Sequence, residues 1–189
     1  MKATLITPPP ATAHTRAAQD GFEALDACHR EMLAKADELC ALVDRLEHHG
    51  IDAAARTSAG EIGRFFTTTA RDHHEDEERH VFPPLADSHD PAVVQAVLRL
   101  QQDHGWLEED WFELSPHVQA VAWGYNGYDI DVLREGATIF AALLRDHVAL
   151  EESFIYPQAR EAMPPAQRRE MGREMAERHR AERTSRRPR

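Results

Sequence analysis

The stretch HHEDEERHVFP, residues 73–83, decides how this chain folds. It packs two histidines and four acids into six residues and then ends in Val81-Phe82-Pro83, which belongs in a core. A purely solvated charge run does not end that way. The stretch has a twin in HVALEESFIYP, residues 147–157. Both obey H-x-x-x-E-E-x-x-[VI]-[FY]-P. Proline sets the register from one end: Glu77 stands six residues before Pro83, and Glu151 six before Pro157. Histidine sets it from the other, with His73 four before Glu77 and His147 four before Glu151. Positions i and i+4 share one helix face, about 6 Å apart along the axis.

Working outward, each twin is preceded by a lone histidine at matched distance. His73 follows His29 by 44 residues and His147 follows His104 by 43. The spacing reads as two copies of a helical hairpin about a pseudo-twofold axis. Around His29 the pattern Phe22, Leu25, His29, Met32, Ala36, Leu39, Val43, Leu46 steps by 3, 4, 3, 4, 3, 4, 3, one sustained helix face. Gly50 follows as its stop signal. A second helix is expected after the cap-like Thr57-Ser58, with face Ile62, Phe66, Thr69, His73, Glu77, stopping at Pro83-Pro84. Asp90-Pro91 opens a third, with face Val94, Val97, Gln101, His104, Leu107 or Glu108, and Trp111. Residues 115–130, with Pro116, Gly124 and Gly127, read as a long connection. A fourth helix runs from about Asp131 through Leu133, Ala137, Phe140, Leu144, His147, Glu151 and Phe154, halting near Pro157 or by Pro164-Pro165. Short loops make antiparallel neighbours, so the expected fold is all-α: an up-down-up-down four-helix bundle with an extra C-terminal helix or tail. The expected segments are a flexible lead-in over 1–19, the bundle over 20–160, and an Arg-rich helix or tail over 161–189, read as solvated or as an interaction helix.

Every helix face carries a polar group at mid-length. Together they are His29, His73, Glu77, His104, His147 and Glu151. Four imidazoles and two carboxylates exceed what a closed tetrahedral zinc takes. They suit two ions, with His29 and His73 on one, His104 and His147 on the other, and Glu77 and Glu151 bridging. A nitrogen and oxygen set without thiolate favours iron or manganese. Burying these groups without compensation is costly, which makes metal the economical reading. On the charged-face reading, His74, Glu75, Asp76 and Arg79 point outward. A slipped His74/Glu78 pair is the competing register. His14, His48, His49, His80, His89, His117 and His179 read as surface histidines. Asp72, Asp103 and Asp146 each directly precede a proposed ligand, and a supporting contact to an imidazole on a neighbouring helix is one reading of them. Cys28 reads as a small core filler.

The ordered set H–HxxxE–H–HxxxE resembles the hemerythrin-like, HHE cation-binding domain proteins over about residues 20–160. The resemblance implies a four-helix bundle holding two non-haem irons (Fe2+/Fe3+) with an oxo- or hydroxo-type bridge. It implies binding or reduction of a small oxidant (dioxygen, peroxide or nitric oxide), with catalase- or peroxidase-like stress protection among the outcomes. The oxygen-carrying hemerythrins place a second histidine four after the third-helix ligand. Here that position is Glu108, either a seventh ligand or a rim residue beside Trp106 and Trp111. Other readings are an iron sensor, an iron donor or repair protein, and a metal-stabilised structural bundle acting through a protein partner. The repair proteins of this type add a cysteine-bearing N-terminal segment, and here no cysteine precedes Cys28. A ferritin-like oxidase uses Glu-x-x-His and more carboxylates than imidazoles, which does not match.

A net charge of −11 argues against general nucleic-acid binding. No apolar run reaches 18 residues, and MKATLITPPPATAHT lacks an apolar signal region, so a cytoplasmic chain with no membrane association is expected. Cys28 and Cys40, on one helix, would stand about 18 Å apart, too far for a disulfide.

Overall fold

In the computed structural model, residues 20–185 are described. The expected lead-in over 1–19, with His14, and residues 186–189 lie outside them. Among the described residues there is no strand. Helix α1 spans Gly21–His49, α2 Ala53–Thr67, α3 Thr69–Asp76, α4 Pro83–Ala86, α5 Pro91–Trp123, α6 Ile130–Leu150, α7 Tyr156–Ala162 and α8 Pro165–Ser185. One π turn, Glu77–Val81, joins α3 to α4, and another, Glu151–Ile155, joins α6 to α7. Helix α1 packs on α2 and α6, and α5 packs on α2 and α6, which closes the bundle as a ring of antiparallel neighbours.

The caps account for the helix starts. Asp20, Asp52, Asp90 and Asp129 each accept a hydrogen bond from a first-turn backbone N–H. Asp52 starts α2 six residues before the expected Ser58. Its carboxylate reaches the Ala55 N–H at 2.8 Å, so Thr57 falls inside the helix and bonds back to the Ala53 carbonyl. At Thr68 the backbone departs from helical geometry (φ −124°, ψ −70°), and the Thr68 hydroxyl bonds to the Arg64 carbonyl at 2.8 Å. This break rephases the face. Ala70 is buried and Thr69 exposed, and the inner line becomes Ile62, Phe66, Ala70, His73, Glu77.

The expected connection over 115–130 is mostly helix. Helix α5 runs through Pro116, and only 124–129 link it to α6. Proline leaves the carbonyl of residue i−4 without its partner. Here that carbonyl is Phe112, and the Ser115 hydroxyl bonds to it at 3.4 Å. Leu114, Val118 and Val121 continue the buried stripe past the proline. The face is Val93, Val97, Leu100, His104, Leu107 and Trp111, so Leu100 takes the place expected for Gln101, which is exposed. Gly124 ends the helix in the left-handed region (φ 80°), with the Tyr125 N–H on the Ala120 carbonyl. Trp123 and Tyr125 are exposed at this end. His104 lies 19 residues back along α5, about 28 Å at helical rise, so these aromatics do not cover the buried histidines.

Two apolar clusters sandwich the polar layer. One joins Met32, Leu39, Phe66, Trp111, Phe140 and Leu144 with their neighbours. The other joins Phe22, Leu25, Phe82, Leu100, Ile155 and Tyr156 to Met171 and Met175 of α8. Helix α8 therefore is not a purely solvated helix: both methionines are core residues, and Arg178 and His179 reach Asp76.

Candidate metal centre

Four helical arms deliver one polar layer. His29 comes from α1, His73 and Glu77 from the α3 arm, His104 from α5, and His147 and Glu151 from the α6 arm. All six are at most 4% exposed. His29, His73, Glu77 and Glu151 bring one ligand atom each within 4.8 Å of one another, and so do Glu77, His104, His147 and Glu151. The two carboxylates belong to both groups. Imidazole nitrogens and carboxylate oxygens face each other across the layer. His29 Nε2 is 3.1 Å from Glu151 Oε2, His73 Nε2 and His104 Nε2 are each 3.4 Å from Glu77 Oε2, and His147 Nε2 is 3.3 Å from Glu151 Oε1.

Most of these atoms attract one another without being aligned for hydrogen bonds. His73, His104 and His147 Nε2, Glu77 Oε2 and both Glu151 oxygens have no hydrogen-bond partner. Buried polar atoms without partners are rare and costly. Convergent, inward-aimed lone pairs of this kind are what cations take, so the donor set fits metal.

The outer nitrogens are held by residues that sequence reasoning missed. Glu78 accepts from His104 Nδ1 at 2.9 Å, and Glu152 accepts from His29 Nδ1 at 3.1 Å. Each is the second glutamate of its E-E pair, and each supports the lone histidine of the other hairpin. That duplicated pair was the available signal. Glu78 is thus a support, and His73/Glu77 occupies the centre of the layer. Of the three aspartates, Asp103 is buried with Oδ2 3.8 Å from His147 Nδ1, Asp146 is exposed, and Asp72 is buried. The Cys28 thiol lies beside His73.

The rings above the layer repeat as well. Tyr156 stacks on His29, with centroids 5.2 Å apart, and Phe82 stacks on His104 at 5.5 Å. Only the first has a hydroxyl, and it donates to Glu77 Oε1. Burial and the nearby Glu77 and Glu151 push the Tyr156 phenol well above its ordinary pKa. Burial depresses His147, but Glu151 and Asp103 outweigh it and raise it to about 9. Burial likewise works against the ionised form of Glu77, yet the surrounding His73, His104 and His29 hold its carboxyl well below the usual range.

Two positions expected to point outward are buried. His74 is 7% exposed and Asp76 is 1% exposed. The α3 arm has three neighbours rather than one. Asp76 faces Arg178 and His179 of α8, and His74 stacks on His104 of α5. His80, expected at the surface, is half-buried and bonds Glu174 of α8 at 2.6 Å. Glu108 is exposed, stands 3.9 Å from Arg71, and lies outside both groups. Arg71 and Glu108 rim a cavity of about 290 Å³ whose walls include Met32, Phe66, Trp111 and Leu144 and which reaches His74.

The model of the hemerythrin HHE cation-binding domain matches residues 20–159, which span both hairpins and all six groups of the layer. This chain belongs to the hemerythrin HHE cation-binding domain family. The hemerythrin domain here is also similar to an uncharacterised protein of Haemophilus influenzae, 31% identical over 157 residues, covering 83% of this chain and 88% of that one. No helix among the described residues of this hemerythrin domain is long and apolar enough to cross a membrane.

Proposed function

We propose that this hemerythrin-like domain holds two non-haem irons and binds or reduces a small oxidant: dioxygen, peroxide or nitric oxide. One observation carries the reading. Two overlapping sets of four buried donors share Glu77 and Glu151, which is what a pair of adjacent cations requires. The ligands proposed are His29, His73, Glu77, His104, His147 and Glu151. A thiolate-free nitrogen and oxygen set suits iron, with manganese the nearest competitor.

Iron, when bound, supplies electrons by cycling between its ferrous and ferric states. The chain's own part is positional and electrostatic. Glu78 and Glu152 hold the Nδ1 protons of His104 and His29, which leaves each Nε2 lone pair directed inward. Glu77 and Glu151 offer charge to both halves of the layer. Tyr156 holds a phenolic proton beside Glu77 Oε1. The mostly apolar cavity walls favour a small, uncharged ligand, which supports an oxidant of the dioxygen, peroxide or nitric oxide class.

The test is metal content per chain of protein from iron-supplemented cells, with His73→Ala and the exposed-site control His89→Ala. Two irons per chain, lost with His73→Ala and kept with His89→Ala, is the expected result. Peroxide added to the loaded protein then distinguishes catalase-like turnover, read as oxygen release, from simple binding. Less than half a metal per chain in the parent protein overturns the reading.

A further inference from the structure

The two hairpins match at all six proposed ligands but differ at an inward-facing position directly beside one of them. Counting from the paired histidines, His74 of the first hairpin corresponds to Val148 of the second. Both are buried. The second hairpin thus shows that a valine satisfies packing at this place, and the imidazole in the first needs another reason.

The His74 surroundings supply no polar partner. Neither ring nitrogen has a hydrogen bond. The ring lies parallel to His104, with centroids 4.1 Å apart and planes 15° from each other, and 5.7 Å from His147. His74, His104 and His147 each bring a nitrogen within 4.8 Å of the other two. A buried imidazole with two free nitrogens is costly, and two further imidazoles converge on the same space.

We propose that His74 is a third imidazole ligand on the His104/His147 side of the layer. This rests on the di-iron reading above and refines it. The His104/His147 half then carries three imidazoles and the His29/His73 half two, so the two metal positions are chemically unequal in spite of the sequence repeat. The cavity rimmed by Arg71 and Glu108 reaches His74, which gives the three-imidazole half a path to solvent.

Cobalt(II) titration of the metal-free full chain, followed by its visible absorption and by equilibrium dialysis, tests this. The parent protein is expected to bind two ions. In His74→Ala and in the volume-conserving His74→Gln, one ion is retained and the other weakens by tenfold or more, while helicity is unchanged. In His74→Gly, free imidazole enters through the cavity and restores the second ion and its spectrum, an effect opposite to imidazole's ordinary competition for cobalt. Two ions bound by all three variants with the parent's affinity and spectrum, and no response to imidazole, overturn the assignment of His74 alone. No cobalt bound by the parent protein overturns the metal reading and this one with it.

Discussion

Glu78 accepts a hydrogen bond from His104 Nδ1 at 2.9 Å, and the two residues belong to different hairpins. Its counterpart, Glu152 on His29, crosses the same boundary in the opposite direction. The imidazoles are thus oriented by the half of the chain that does not contain them. The His104 contact also holds the Glu78 carboxyl below its usual pKa. Glu78→Ala is expected to weaken metal binding by about 10–100-fold, the usual effect of losing a ligand's hydrogen-bond partner. Glu152→Ala is expected to match it, with the loss assigned to the other ion. Competition with a chelating dye measures both, and unchanged affinity in each would sink the supporting role.

Tyr156→Phe removes the hydroxyl that Phe82 lacks at the matching place. It leaves Glu77 Oε1 buried without its donor. The metal-free chain is expected to lose about 1–3 kcal/mol, the cost of an unsatisfied buried acceptor. Denaturant unfolding with EDTA present reads this directly. A stability equal to the parent's would show that Glu77 finds another partner.

Without metal, stability should fall as pH rises from neutral. The His147 imidazole is raised from 6.5 to about 9 in the folded chain because Glu151 and Asp103 outweigh its burial. The folded state therefore binds a proton that the unfolded state has released. That stabilisation is complete below pH 6.5 and is lost as pH rises through about 9. It amounts to something on the order of 3 kcal/mol at full size. The melting temperature of the metal-free protein should drop by several degrees between pH 6.5 and 9.5, and His147→Gln should flatten the drop. A rise over that range would contradict the assignment. Metal loading at pH 7 should release protons, measurable with an unbuffered indicator.

Arg178 of α8 pairs with Asp76, which is 1% exposed. Arg178→Ala leaves that carboxylate buried, with His179 still 3.0 Å away. A loss of roughly 3 kcal/mol is expected, the low end for stranding one partner of a buried pair. Thermal unfolding checks it. A change within 0.5 kcal/mol, the ordinary size for an exposed site (about ±0.5), would mean that Asp76 reaches water.

What could be read from the chain alone followed from periodicity. His29, His73, Glu77, His104, His147 and Glu151 stand on apolar stripes at helical spacing, and the twin stretches bring the two halves into register. His74 and Asp76 could not be read that way. A stripe reports the one face that every helix in a bundle must bury, and α3 has α1, α5 and α8 around it. The 115–130 segment reads as a connection because Pro116 is a local signal, and the Ser115 hydroxyl that offsets it counts only once the helix exists. Helix α8 reads as polar because only Met171 and Met175 mark its buried side.

The crossed Glu–His contacts have a consequence for how such a centre is inherited and assembled. A single hairpin of this type would own a histidine with no carboxylate behind it and a glutamate with nothing to support. Two identical hairpins paired about a twofold axis would cure both defects at once, as in a symmetric homodimer. The linkage across residues 87–90 makes that encounter intramolecular. Severed there, the two fragments should remain metal-free when apart and recover the ions only on mixing, so that iron uptake would serve as a direct gauge of reassociation.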